Sequence, residues 1–196
     1  GDSAVAGHTM ALLMELTRHV GQLDREVKAG DWAGNDGYEL FGKKLGIFGL
    51  GGIGQTVARI ANAYGMKVSA WNSHVPEQVL TDCNVTPVDD MNELIAGSDV
   101  VSIHMPLLDS TRGIVTAEIL EPGALLKRLE RGDIPAALDV FEHEPLGADD
   151  PLCRIPGIVL TPHTAWRTDG AYVGITEQVV QSVAAFFRGE DFNVVV

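Results

Sequence analysis

The sequence is poor in cysteine, in basic residues and in long apolar runs. Cys83 and Cys153 are the only cysteines, and two isolated cysteines without a framework favour a reducing compartment. Lys and Arg number 14 against 27 Asp and Glu, which gives a formal charge of −13 and argues against nucleic acid or an anionic membrane surface as a partner. Because no run reaches the roughly 18 apolar residues that span a membrane, we expect a cytoplasmic protein.

The beginning of the chain also lacks two familiar signals. It has neither an initiator Met nor the basic start of a signal peptide, so we expect it to start inside a longer protein. Its 196 residues suit one domain of ordinary size with attached pieces, and a hydrophobic content of 45% provides a core. No His or Cys spacing indicates a metal site, and the 22 glycines have no period that would indicate a fibrous protein.

Short apolar strands alternate with helices along the chain. The alternation predicts an α/β fold, a Rossmann-type doubly wound parallel sheet with flanking helices. A helix at residues 4–20 is apolar on several sides, so it should be buried on several sides. The other predicted elements are strands at residues 44–49, 66–71, 85–88, 98–104, 136–141 and 158–161, and helices at residues 53–64, 91–96, 122–130 and 171–187.

A glycine-rich turn lies between the first predicted strand and the helix that follows it. The sequence GLGGIG at residues 49–54 matches the pattern G-x-G-x-x-G, in the strand-to-helix context that dinucleotide binding requires. Gly49 permits the tight turn, Gly51 lets a pyrophosphate approach the backbone, and Gly54 allows the helix to pack closely on the strand. The alternative is a flexible turn that binds nothing, and the strand-to-helix context favours the dinucleotide.

The end of the second predicted strand bears on the choice between NAD and NADP. Asn72 stands about twenty residues after the glycines, where an acidic residue usually binds the adenosine ribose. An Asn can bond ribose hydroxyls but does not repel a 2′-phosphate. No Arg follows to bind that phosphate, although His74 is close in sequence. The residues therefore favour NAD and leave NADP open, and Asn72 as an ordinary turn residue also stays open.

Polar residues follow three of the predicted strands, and ligands of open α/β sheets bind beyond the carboxyl ends of strands. His104 ends one strand, Asp139 lies near the end of the next, and His163 follows the last. A His held by a carboxylate can give a proton to the alkoxide that hydride transfer creates. For His104 and His163 the alternative is a strand-end residue bonded to backbone. Four histidines have no comparable placement: His8, His19, His74 and His143.

In combination, these stretches resemble the D-isomer-specific 2-hydroxyacid dehydrogenases. The resemblance implies an NAD(P)-dependent oxidoreductase that transfers a hydride between its cofactor and a small D-2-hydroxy acid or 2-oxo acid, and that works as a homodimer. The matching stretches follow the order of the family and are VAGHT at residues 5–9, ELFGKKLGI at 39–47, the glycine turn, DVVSIHMPL at 99–107, TRG at 111–113, ALDVFEHEPL at 137–146 and LTPH at 160–163.

The resemblance also implies roles for single residues. Glu144, directly before Pro145, matches the carboxylate that pairs with the catalytic His, and His163 matches that His, the proton donor in reduction. Asp139 matches the residue that holds the nicotinamide amide. Further cofactor contacts are implied for the glycine turn, with Gly52 and Ile53 at the pyrophosphate, for Asn72 at the ribose, and for His104, Pro106 and Thr111 around the adenosine side.

The resemblance divides the chain into three parts. Residues 1–34 would form an interdomain and dimerisation arm, residues 35–166 the dinucleotide-binding domain, and residues 167–196 a helix that returns toward the substrate domain. Most of that substrate domain precedes these parts in the family and is absent here. At the position of residues 117–121 the family also has a strand, followed by an Arg that binds the substrate carboxylate. This sequence has no counterpart of that strand or of that Arg.

Two explanations of that interruption stay open. If the segment is only missing from the sequence given, we expect a chain break near residues 117–121 and a dehydrogenase. If the segment is deleted, the alternative is an NAD-binding regulatory or catalytically impaired module that lacks the substrate-binding Arg. A third alternative is a formate dehydrogenase, in which the resemblance pairs the catalytic His with Gln, and Glu144 counts against it.

Overall fold

Parallel strands and helices alternate through the part of the chain that the computed structural model describes, which is residues 1–71, 75–105, 129–132, 134–141, 143–190 and 192. The strands are β1 Lys44–Phe48, β2 Lys67–Trp71, β3 Thr86–Pro87, β4 Val100–Ile103, β5 Ala136–Leu138 and β6 Ile158–Leu160. The helices are α1 Asp2–Arg18, α2 Val20–Lys28, α3 Gly52–Ala63, α4 Glu77–Cys83, α5 Met91–Ala96 and α6 Asp169–Arg188, with a short 3₁₀ helix at Pro151–Arg154. The predicted α/β class with a parallel sheet is therefore confirmed.

The strands form two parallel groups. Four of them pair in the order β3-β2-β1-β4, with Leu45 of β1 beside Val68 of β2 on one side and Val100 of β4 on the other. The other two pair with each other, so that Ala137 of β5 lies opposite Val159 of β6. Within the described residues no ladder joins β4 to β5, so the sheet is divided at the place where the resemblance implies a missing strand.

Strand β1 is buried on both faces because it lies in the middle of its sheet. Leu45 and Ile47 belong to a hydrophobic cluster that also contains residues of α1 and α3. Phe48 points to the opposite face, where it packs with Leu94 of α5. Helices thus cover both faces of the sheet, and the short apolar run that predicted β1 is the consequence of this double burial.

The helix that the sequence predicts at residues 4–20 is two helices in the structure. α1 packs on α3 and buries Ala6, Met10 and Leu13. It ends at His19, whose backbone is left-handed at φ 54° and ψ 33°, and α2 begins at the next residue. The sequence analysis missed α2, because a left-handed conformation at a single residue does not change the apolar periodicity.

The last helix, α6, leaves many apolar side chains exposed. Its predicted range, residues 171–187, is confirmed with bounds two residues wider at the start and one at the end. Only Ala171 and Ala185 are buried, whereas the exposed apolar residues are Val173, Ile175, Val179, Val180, Val183, Phe186 and Phe187. Neither α6 nor any other helix among the described residues has the length and apolar character to cross a membrane.

Candidate functional site

The glycine turn between β1 and α3 is packed tightly on one side and open on the other. Gly49 has a φ of 90°, and a Cβ there would lie 2.8 Å from the Met105 Cγ and 2.9 Å from the His104 carbonyl oxygen. A Cβ at Gly54 would collide with the Gly49 carbonyl oxygen, which explains why α3 can approach the strand closely. Around Gly51, by contrast, nothing lies within 4 Å of an added Cβ, which leaves room for a ligand against the backbone.

The first turn of α3 offers its backbone N–H groups to an anion. The helix begins at Gly52, and no side chain of the described residues caps it, so its first N–H groups are available for a ligand. The Asp2 carboxylate lies against Gly52, since a Cβ there would collide with it. A negative group at this point matches the positive end of the helix dipole. Ile53, the next residue, packs on the core cluster behind the turn.

Two groups that the sequence analysis predicts to pair are hydrogen-bonded beyond the ends of β5 and β6. The His163 Nδ1 lies 2.8 Å from the Glu144 Oε2. The other carboxylate oxygen, Oε1, accepts the backbone N–H of Phe141 at 2.9 Å, which fixes the direction of the carboxylate. The side chains of His163 and Glu144 are 49% and 35% exposed, so a ligand can reach the imidazole.

This pair shifts both pKa values in the directions that favour opposite charges. The hydrogen bond that His163 donates to Glu144 raises the pKa of His163, and the negative charges of Glu144 and Asp139 act in the same direction. The hydrogen bond with His163 lowers the pKa of Glu144, as does the bond from the Phe141 N–H. The imidazolium form of His163 therefore persists to higher pH than that of an ordinary histidine.

The backbone that carries His163 is held in a sparsely populated conformation. Its φ is 50°, in the left-handed region that favours glycine. The neighbouring residues are fixed by Asp139, which accepts the Thr164 N–H on Oδ1 and the Ala165 N–H on Oδ2, both at 3.0 Å. Asp139 thus acts as a clamp on the turn at residues 161–165, because it bonds to the residues that follow His163.

The Asp139 carboxylate also accepts a short hydrogen bond from a hydroxyl. The Thr161 Oγ1 donates to its Oδ1 at 2.6 Å. Burial alone would raise the pKa of Asp139, but the bonds from Thr161, Thr164 and Ala165 together lower it. Asp139 is therefore ionised at neutral pH. Its side chain is only 11% exposed.

The sequence analysis missed one residue that contacts Asp139 and Thr161. His8, on α1, places its Nε2 3.0 Å from the Thr161 Oγ1 and 3.5 Å from the Asp139 Oδ1. The sequence analysis gives His8 no placement comparable to those of His104 and His163, since His8 does not follow a predicted strand. The signal that could have found it is the VAGHT stretch at residues 5–9, which matches the family although it lies outside the glycine turn and the strand ends.

His104 differs from His163 in its surroundings. It is half-buried, and its Nε2 shares a hydrogen bond of 2.8 Å with the Ser102 Oγ. Burial lowers its pKa to about 4, so the ring is neutral at physiological pH. That state suits a residue that lines a pocket and does not suit a proton donor. Three other predicted contacts of the cofactor, Asn72, Pro106 and Thr111, lie outside the described residues.

The fold and this site together define an α/β domain built to bind a dinucleotide. Residues 10–122 and 117–165 match the family model described as D-isomer specific 2-hydroxyacid dehydrogenase, NAD binding domain. The chain therefore belongs to the D-isomer-specific 2-hydroxyacid dehydrogenase family and carries its NAD-binding domain, as the resemblance in the sequence predicts.

Curated relatives include enzymes that reduce or oxidise small acids. A D-3-phosphoglycerate dehydrogenase of Methanocaldococcus jannaschii is 34% identical, with 95% of this chain and 40% of the relative covered. A hydroxypyruvate reductase of Blautia hydrogenotrophica is 31% identical, with 100% of this chain and 68% of the relative covered. This chain thus spans from two fifths to two thirds of the length of these two relatives.

Solved structures agree with the fold across the whole chain. A D-lactate dehydrogenase with NAD⁺ from Lactobacillus jensenii has a TM-score of 0.83 at 26% identity and is matched over 100% of this chain and 69% of its own. An acyclic imino acid reductase in complex with NADPH and D-Arg has a TM-score of 0.86 at 28% identity, over 100% of this chain and 68% of its own.

The sequence comparisons also indicate that this chain lacks a segment that its relatives have. The two ranges matched by the family model overlap at residues 117–122, where the sequence analysis expects the interruption. The alignment with the D-3-phosphoglycerate dehydrogenase runs over 208 residues, more than the 196 residues of this chain, although only 95% of the chain takes part. The expected chain break at residues 117–121 itself lies outside the described residues.

Proposed function

We propose that this chain is the cofactor-binding part of an NAD-dependent dehydrogenase that interconverts a small D-2-hydroxy acid and the corresponding 2-oxo acid. The observation that carries the proposal is the hydrogen bond between Glu144 and His163, at the same sheet edge that ligands of α/β proteins use. A nicotinamide cofactor supplies or accepts the hydride when it is bound. The protein must then supply or accept one proton.

In this proposal His163 gives that proton during reduction and takes it back during oxidation. Glu144 occupies the Nδ1, so the Nε2 is the nitrogen that carries the transferable proton. The raised pKa of His163 keeps this proton in place near neutral pH. Asp139 is proposed to hold the nicotinamide amide, and its bonds to Thr164 and Ala165, the two residues after His163, keep His163 near the same strand ends.

The glycine turn is proposed to hold the cofactor through its backbone. The open space at Gly51 and the first N–H groups of α3, from Gly52 and Ile53, are proposed to bind a pyrophosphate, which would take the place of the Asp2 carboxylate that lies against Gly52. His104, neutral because its pKa is about 4, is proposed to line the adenosine side together with Pro106 and Thr111. We propose NAD as the cofactor because Asn72 stands at the ribose position without an Arg after it. NADP is the alternative.

Two other functions considered from the sequence receive less support. The relatives and solved structures described above are enzymes, and none of them is named as a regulatory protein. The acid–base pair is complete in this chain, whereas a regulatory module has no need of it. Glu144 stands where a formate dehydrogenase would have Gln, so that alternative also fits less well.

Binding and turnover are tested separately. Titration of the chain with NADH and with NADPH, followed by nucleotide fluorescence, should show binding, with NADH the tighter ligand. The full-length protein, with the substrate domain and with the Arg-bearing segment that the family has at residues 117–121, should then oxidise NADH in the presence of a small 2-oxo acid such as glyoxylate or hydroxypyruvate. The proposal is wrong if the chain binds neither nucleotide, or if the full-length protein binds NADH but reduces no 2-oxo acid.

Glu144→Gln should move the alkaline limit of reduction to lower pH. Glu144 raises the pKa of His163, so loss of its charge lets the imidazolium lose its proton at lower pH, and reduction fails above that pH. The measurement is kcat/KM for reduction against pH in the full-length protein. Glu190→Gln is the matched control, since Glu190 pairs with Arg188 at the end of α6. Coincident pH profiles for Glu144→Gln and the wild type would contradict the role of Glu144.

We also propose a homodimer in the cytoplasm, with residues 1–34 as the principal interface. Val20, Val27 and Trp32 are exposed apolar residues in this part. Sedimentation equilibrium at micromolar concentration should give the mass of two chains. Val20→Asp should shift the protein to monomers, whereas Val180→Asp on the exposed face of α6 serves as the control and should not. A wild-type monomer at this concentration would rule out the proposed dimer.

The three-part division of the chain remains a proposal as well. Residues 1–34, with α1 and α2, precede the dinucleotide-binding part at residues 35–166, and α6 occupies most of residues 167–196. The exposed apolar face of α6 is consistent with a helix that returns to a substrate domain.

A further inference from the structure

We propose that His8 is a positioning residue of the acid–base site: through Thr161 and Asp139 it holds the turn that presents His163. The proposal rests on the proposed dehydrogenase function only for the consequence in turnover. Its structural content is that α1, at the start of the chain, sets the geometry of a site formed at the ends of β5 and β6.

The first step of the argument is a chain of hydrogen bonds with a defined direction. The Thr161 hydroxyl donates its only proton to the Asp139 Oδ1 at 2.6 Å. Its oxygen must therefore accept from the His8 Nε2, which lies 3.0 Å away, and this requires the His8 tautomer with a proton on Nε2. His8 thus orients the hydroxyl toward Asp139, because it occupies the acceptor side of the same oxygen.

The second step leads from Asp139 to His163. Asp139 accepts the N–H groups of Thr164 and Ala165, the two residues after His163. His163 has a left-handed backbone at φ 50°, a conformation that persists only where its surroundings hold it. Removal of one bond to Asp139 loosens the residues that impose this conformation. The side chain of His163 would then meet Glu144 less often.

The third step concerns the place of His8 in the fold. α1 is held on α3 by Ala6, Met10 and Leu13, and α1 also contacts β5 and β6. His8 lies on this helix and is half-buried. A histidine on a packed helix is a more rigid support than a residue in a loop, so small shifts of α1 would be transmitted to Asp139 and the turn.

The experiment titrates His163 by NMR in the full chain with labelled histidine, without a cofactor. The variants are His8→Ala, Thr161→Val, the double variant, and His8→Gln, whose side-chain amide can donate from nearly the position of the Nε2. Thr9→Ala is the matched control, because Thr9 follows His8 on α1 and its hydroxyl, as far as the described residues go, bonds within the helix, to the Val5 carbonyl oxygen.

His8→Ala should lower the pKa of His163 toward its ordinary value, because the hydrogen bond that raises this pKa forms less often. Thr161→Val should do the same, and the double variant should add little, since both act through one chain of contacts. His8→Gln should restore most of the shift, and Thr9→Ala should leave the titration unchanged. In the full-length protein, kcat should fall by up to about 100-fold in His8→Ala, with the affinity for NADH nearly unchanged.

The proposal is overturned if His163 titrates in His8→Ala and Thr161→Val as it does in Thr9→Ala, or if the effects of the two single variants add. If His8→Ala does not fold, Thr161→Val and His8→Gln decide the question by the same titration. Failure of the proposed dehydrogenase function would show itself differently, as absence of dinucleotide binding or hydride transfer in the wild type, and the titration of His163 would still test the role of His8.

Discussion

His163→Ala should reduce the turnover of the full-length protein by about 10²–10⁴-fold, the usual contribution of a positioned acid–base group. The variant removes the imidazole that Glu144 orients at 2.8 Å, and among the described residues no other imidazole is placed to substitute. His104 is neutral, with a pKa of about 4, and His8 is engaged with Thr161. The affinity for NADH should change little, because the glycine turn after β1 is proposed to hold the cofactor.

The measurement is kcat and the Kd for NADH, determined side by side. His143→Ala is the control, since His143 is an exposed histidine in the same loop as Glu144 and should keep full turnover. A loss of NADH affinity that accounts for the whole effect of His163→Ala would assign His163 to cofactor binding. Unchanged turnover would remove His163 from the proposed mechanism.

Gly54→Ala should lower both the free energy of unfolding and the affinity for the dinucleotide. The new Cβ would collide with the Gly49 carbonyl oxygen, which is backbone and cannot rotate away, so α3 must shift from β1. Overpacking of this kind typically costs about 1–3 kcal/mol. The shift also moves the first turn of α3, where the pyrophosphate is proposed to bind, so the Kd for NADH should rise.

Gly174→Ala provides the matched control for the same substitution in a helix. Gly174 lies in α6, and nothing stands within 4 Å of an added Cβ. Since Ala is a better helix former than Gly, this variant should be more stable than the wild type by roughly 0.5–1 kcal/mol. Urea unfolding and NADH titration of both variants provide the measurement. Equal stability of the two variants would show that the close approach of Gly54 to Gly49 is not constrained as the structure describes.

Strand-end positions and the family resemblance were together sufficient to predict that Glu144 and His163 lie close together. Glu144 and His163 each follow a strand, β5 and β6, and the two strands are parallel neighbours. Because parallel neighbours end at the same edge, their following residues meet even though the sequence separates them. The turn at residues 49–54 could also be predicted from the sequence. A glycine at position 49 indicates a positive φ, and a glycine at position 54 indicates a close approach of helix and strand, without knowledge of the rest of the fold.

Other features left no local signal. The left-handed residue His19 divides the predicted first helix, and apolar periodicity does not reveal a left-handed backbone at a single residue. Helix α4, at Glu77–Cys83, was also missed, and it has only seven residues in which to display a period. The division of the sheet between β4 and β5 was indicated only by the family resemblance, because strand patterns alone do not specify their neighbours.

The sequence by itself thus determined the α/β class and the glycine turn, because each depends on short-range patterns, and through the family resemblance it predicted the hydrogen bond between Glu144 and His163. Only the tertiary structure decided that His8 belongs to the same site. His8 and Thr161 are 153 positions apart, and α1 reaches β5 and β6 through its packing on α3. A contact made by the docking of a helix is set by the core beneath it, and the apolar periodicity of α1 does not specify which strand end its histidine will meet.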